Sequence, residues 1–135
     1  MIERPLTVFA GLLLALSLSA SPAAAQDEPL KRTILQQGEL SGLGGHEGVL
    51  YRIEFAPGAQ APKHTHPGDE FLYVESGAIV IQPEGKEAIT LKAGDSAHMR
   101  VGTAHTARNA DAATPAVVIG FMVSAAGQPL ATLAE

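Results

Sequence analysis

Three histidines and one glutamate carry the chemistry this sequence offers. His64 and His66 lie two residues apart in His64-Thr65-His66. In an extended chain such residues point to the same face, so both rings can converge on one point. Glu70 follows after Pro67-Gly68-Asp69. Pro-Gly is a strong turn pair, able to bring the chain back so that the carboxylate joins the rings. His105 arrives from a later strand, beyond a second turn at Gly102. Three neutral imidazoles and a carboxylate are a borderline donor set suited to Mn, Fe, Co, Ni, Cu or Zn. A His-x-His pair alone is common on solvated strands. The glutamate after the turn and the third histidine among glycines favour a metal site over that reading.

The elements that must position these groups read as short strands. Val49 to Phe55 alternates apolar and polar residues with period two, and Pro57-Gly58 ends it. Glu70 to Val74 is a second run. Ala78 to Gln82 and Glu87 to Leu91, joined through Pro83-Glu84-Gly85, should pair as a hairpin. Ser96 to Arg100, His105 to Asn109 and Ala116 to Val123 complete the set. Residues 26–45 form a polar lead-in with a strand near Thr33–Gln36 and a glycine-rich connection at Gly42, Gly44 and Gly45. Short strands at close spacing without helical periodicity imply an all-β sandwich or barrel, and a closed jelly roll is one way to protect its edges.

The first 25 residues have another character. Arg4 precedes an uncharged apolar stretch from Leu6 to Leu18, and small residues follow, ending in Ala23-Ala24-Ala25. That order is a secretory signal peptide, with cleavage expected after Ala25. An uncleaved anchor is disfavoured because the apolar stretch is short and Pro22 and the alanines suit a peptidase. No cysteine is present for lipid attachment or disulfides, and no Arg-Arg pair precedes the apolar run. The expected destination is the periplasm or the exterior, reached unfolded, with no membrane association after cleavage. The 135-residue chain has a net charge of −5 and no basic stripe, which disfavours nucleic-acid partners.

Two motifs then point to a family. Gly58, His64, His66, Glu70 and Gly77 match the spacing of the first cupin motif. Gly94, Arg100, Gly102, His105 and Asn109 resemble the second, with Arg100 where the family usually has proline. The segment from His64 to Val74 is similar to small single-domain cupins described as quercetin-dioxygenase-like. The resemblance implies a single cupin jelly-roll β-barrel over residues 46–135, and the N-terminal pattern places an apolar signal-peptide helix before it. It further implies one divalent ion on His64, His66, Glu70 and His105, a somewhat loosened loop at Arg100, and a homodimer.

The resemblance leaves the reaction open. A metal-dependent oxidoreductase of the small dioxygenase type, acting on a small molecule, is the first reading, with Glu70 able to leave the metal and serve as a base. A non-catalytic ligand-binding barrel, a metal-handling or envelope-stress accessory protein, and a zinc-type isomerase, decarboxylase or lyase are the others. Folding outside the cytoplasm favours Cu, Zn or Ni over Fe or Mn, because raw affinity then has more say. Among the remaining residues, Tyr73 falls on the face opposite Glu70 and is read as packing or a subunit contact. Asn109 shares the face of His105 and can bond nearby backbone. His98 is read as a spare histidine and His46 as solvated. Met99 and Met122 are core candidates.

Overall fold

The structure, a computed structural model, describes residues 28–135, so the leader expected at 1–25 lies outside the described residues. The described chain folds as strands joined by turns: β1 (Leu30–Glu39), β2 (His46–Phe55), β3 (Gln60–Thr65), β4 (Asp69–Ser76), β5 (Ala78–Pro83), β6 (Ile89–Lys92), β7 (Ser96–Met99), β8 (His105–Asn109), β9 (Ala116–Ala125) and β10 (Thr132–Leu133). They form two antiparallel five-stranded sheets, ordered β1-β2-β9-β4-β7 and β10-β3-β8-β5-β6. This is an all-β jelly roll, within the sandwich-or-barrel class that the strand pattern implies.

Period-two alternation decides what faces the interior. Along β4, Glu70, Leu72 and Val74 are buried while Phe71 and Tyr73 are about half exposed. Along β8, His105, Ala107 and Asn109 point inward together. Ile79 and Ile81 from one sheet meet Phe55, Val74 and Val118 from the other in the main apolar cluster. A smaller cluster gathers Val49, Tyr51 and Met122. Glu70 is therefore a carboxylate in a core position, in register with Met99 on one side and Met122 on the other. Burying such a group is costly unless something satisfies it.

The expected hairpin is present as β5 and β6, with Ile79 opposite Leu91 and Ile81 opposite Ile89. The lead-in strand is longer than its sequence suggests. β1 pairs with β2 along its whole length, interrupted by a bulge between Ile34 and Gln36. Its side chains are largely exposed, so it lacks the apolar alternation that marks other strands. Backbone pairing, not side-chain burial, attaches it.

Asn109 closes the end of β8. Its Nδ2 donates to the carbonyls of Ala56, at 3.1 Å, and Thr114, at 2.8 Å, and its Oδ1 accepts from Asp111 N at 2.9 Å. Only 3% of the residue is exposed, so truncation would strand buried carbonyls. Asn109→Ala should cost about 1–3 kcal/mol of stability. Urea unfolding measures that loss, and metal content per folded chain should stay unchanged, because the side chain binds backbone and does not reach the histidines.

Candidate metal centre

The strand register brings the histidines together. His64 on β3 and His105 on β8 are direct cross-strand partners. Pro62 has no N–H to give to the ladder, and the register shifts between Ala61 and His64. The Pro62 carbonyl pairs instead with His64 Nδ1 at 2.8 Å. His105 Nδ1 does the same with Thr103 O at 2.9 Å, and His66 Nδ1 with Leu130 O at 2.7 Å. A carbonyl oxygen can only accept, so in all three rings Nδ1 carries a proton and donates it. Each Nε2 is then the atom left to face the interior. The ligand nitrogens of the three rings lie within 4.8 Å of one another, and all three residues are buried.

Glu70 joins from the opposite sheet, at the start of β4. The tight return from His66 depends on Gly68, where a Cβ would run into the carbonyl oxygen of Val123. One carboxylate oxygen accepts the Tyr51 hydroxyl proton. The other stands 3.1 Å from His66 Nε2. That approach lacks the direction of a hydrogen bond, and His66 Nε2 is the one buried side-chain nitrogen or oxygen without a partner among the described residues. Two electron-rich atoms this close and this deeply buried repel each other unless a positive charge sits with them. A second ring proton or a metal ion would supply it. Of the four expected ligands, three form one compact cluster and the fourth stands against His66. The donor set and the unpartnered nitrogen fit a divalent ion.

Electrostatics follow the same logic. Burial lowers the pKa of His64 and His105, so both are neutral in neutral solution, as ligands must be. Burial acts the same way on His66, but the adjacent Glu70 carboxylate outweighs it and raises the pKa. For Glu70, burial opposes the charge, and His66 and Tyr51 together more than offset it, holding the carboxyl below its ordinary value. Burial, then the charge of Glu70, pushes the Tyr51 phenol far upward, so it remains a hydroxyl donor.

Tyr51 is the functional residue that sequence reasoning missed. It is wholly buried, and its cross-strand partner is Gly120. A Cβ at Gly120 would overlap the tyrosine ring, so the glycine lets the ring lie against β9 and aim its hydroxyl at Glu70. The signal available was Gly120 in the otherwise bulky run of β9. Leu130, which contributes only its carbonyl, had no signal at all.

The other candidates separate cleanly. His98 is outside the barrel, stacked on Phe71 with centroids 4.4 Å apart and 3.5 Å from Asp69. His46 is half-buried rather than solvated, with Nδ1 3.2 Å from Gly44 O. Tyr73 faces away from Glu70, and Met99 and Met122 are core. The turn at Arg100 lacks the stiffening proline, but hydrogen bonds close it. Val101 N donates to Asp69 Oδ1 at 2.9 Å, and Gly102 N to His66 O at 3.1 Å.

Above the cluster lies a cavity of about 220 Å³ lined mainly by apolar side chains, with Phe55, Leu72 and Ile79 among them. The cupin-domain family model (Cupin_2) matches residues 51–123, which contain all four expected ligands. The chain belongs to the cupin family. No curated protein matches it in sequence. Among solved structures, this cupin resembles a cupin-like protein from Thermotoga maritima at 27% identity and TM-score 0.63, over 78% of this chain and 75% of that one. The DMSP lyase DddQ from Ruegeria pomeroyi aligns at 21% identity and TM-score 0.64, over 88% of this chain and 59% of that one. A recombinant oxalate oxidase aligns at 20% and 0.61, over 81% and 57%. The last two likenesses show the shared barrel and nothing of its chemistry.

Two outcomes test the geometry of this cupin's site. Tyr51→Phe should weaken divalent-metal affinity about 10- to 100-fold by freeing the Glu70 carboxylate, a change that calorimetric titration detects. Metal binding must also displace the proton that His66 holds beside Glu70, since its pKa is raised. Affinity should therefore rise with pH until His66 is neutral in the free protein. Titration in buffers of different ionisation enthalpy should show proton release at mildly acidic pH, declining as pH rises. Release that does not change with pH would contradict this assignment.

Proposed function

We propose that this cupin is an exported metal-dependent oxidoreductase of the small dioxygenase type, acting on a small organic molecule. The carrying observation is the set of three buried imidazoles, each fixed through Nδ1, that converge beneath an apolar cavity. His64, His66 and His105, with Glu70, would hold one divalent ion, Cu, Zn or Ni in preference to Fe or Mn. Such an ion supplies Lewis-acid chemistry, and redox chemistry if it is not zinc, to a bound substrate. The apolar walls would exclude water and orient the substrate. Glu70 is ionised, which suits ligation, while Tyr51 and His66 reduce its strength as a base.

The cavity opens onto the histidines, which favours access by a ligand over a sealed, purely structural ion. Its volume lies below the roughly 300–1,000 Å³ of drug-sized pockets, so a single ring fits better than a fused-ring flavonol. The alternative of a ligand-binding barrel without turnover rests on the same cavity. The leader at residues 1–25 supports export and a periplasmic location. Phe71, Tyr73 and Phe121, exposed together on the outer face of one sheet, support a homodimer.

Protein isolated from its native periplasm should begin near Gln26, contain about one Cu, Zn or Ni ion per chain, and have a dimer's mass in light scattering. Metal-loaded protein should consume dioxygen in the presence of catechols, and His105→Ala should lose both metal and oxygen uptake. Tight catechol binding without oxygen uptake would replace the enzyme with a binding protein. Zinc content with bond cleavage or isomerisation in the absence of oxygen would replace the oxidoreductase with a lyase or isomerase. Predominantly iron or manganese would remove the metal preference.

A further inference from the structure

Among the described residues, Arg32 is the only lysine or arginine that lines the cavity. It stands on β1, opposite Ile53, and its guanidinium carbon lies 5.5 Å from the centroid of the Tyr51 ring. No carboxylate pairs with it among the described residues, although Arg52 lies 2.5 Å from Glu54 and Lys63 lies 3.1 Å from Glu84. The β1 backbone and the face of Tyr51 hold it in place, and neither neutralises its charge. A guanidinium facing a largely apolar cavity, with its five donors unmatched by any carboxylate, is a receptor for a planar anion.

Tyr51 also connects Arg32 to the ligand set. Its ring face meets Arg32, while its hydroxyl meets Glu70 beside the histidine cluster. The guanidinium and the ligand set border the same cavity. A molecule in that cavity with its metal-binding oxygens toward the histidines would present its far end to Arg32. A cavity of about 220 Å³ is smaller than the roughly 300–1,000 Å³ of drug-sized pockets, so the body of that molecule is a single ring or a short chain.

We propose that Arg32 anchors the substrate, and that the substrate is a small carboxylic acid. Its carboxylate lies at the end remote from the oxygen atoms that approach the metal centre. This rests on the metal-centre reading above and narrows its substrate class from any small chelator to an anionic one. Arg32 acts in recognition: it touches the remote carboxylate and not the reacting atoms.

The test compares catechol with 3,4-dihydroxybenzoate, two probes with the same chelating diol and differing only in the far carboxylate. Calorimetry on the metal-loaded protein should show the acid binding roughly tenfold to a hundredfold more tightly, the range for a hydrogen-bonded charge. Arg32→Gln should abolish that difference while leaving catechol affinity and metal content unchanged, and Arg32→Lys should restore part of it. Added salt should narrow the difference, since Arg32 is exposed. Equal affinities in the unaltered protein, or a difference that survives Arg32→Gln, would overturn the assignment. Failure of the metal-centre reading has another signature: the preference for the acid persists and depends on Arg32, but removing the metal changes neither probe's affinity.

Discussion

The arrangement depends on three hydrogen bonds from imidazole Nδ1 to backbone carbonyls. A buried histidine can present either nitrogen, and a site built from three of them has many wrong tautomers. Pro62, Thr103 and Leu130 remove that freedom by accepting a proton from Nδ1, so each Nε2 turns toward the common centre. Two of these carbonyls lie only two residues before the histidine they orient. Local backbone shape therefore sets the chemistry of each ring, and the strand register only has to bring the rings together. The third carbonyl comes from the C-terminal segment, which is anchored by the pairing of β10 with β3.

That arrangement creates an electrostatic debt on the opposite sheet. Glu70 occupies a core position, where Leu or Val would pack more cheaply, and it faces an imidazole nitrogen with no hydrogen-bond partner. Buried polar groups left in this state normally cost stability. Proteins retain such groups where function requires them, and a centre awaiting positive charge is a physical reason to do so. Tyr51 limits the cost by satisfying one carboxylate oxygen, and Gly120 gives Tyr51 the space to do it.

Much of this was legible in the sequence because strand alternation and turn chemistry are local. Spacing alone put His64 and His66 on one face and the Pro67-Gly68 turn after them, the β5–β6 hairpin followed from its turn, and the resemblance to the cupin motifs added His105 to the set. What escaped depended on contacts between distant strands. Tyr51 read as one apolar position in an alternating run, since nothing local says that its hydroxyl meets a carboxylate nineteen residues on. β1 extends well past its sequence signal because an edge strand held by backbone pairing needs no apolar pattern. His98 lies outside the barrel because of its register with Phe71 on the neighbouring strand, which its own segment does not reveal.

The same reasoning explains why the barrel can be recognised more readily than its reaction. The residues that define the fold motifs are ligands and turn glycines, and any metal chemistry can use them. Gly58, Gly77, Gly94 and Gly102 all have positive φ, so the motif records backbone geometry as much as chemistry. Specificity has to come from residues outside that pattern, on strands that merely border the cavity. β1 is such a strand: beyond Leu30, which packs against the core, its side chains are exposed, and it is joined through the sheet backbone. A charged side chain there can change which molecule enters while the histidines below stay in place. Recognition and chemistry are thus assigned to separate strands, and Tyr51 is the side chain that touches both.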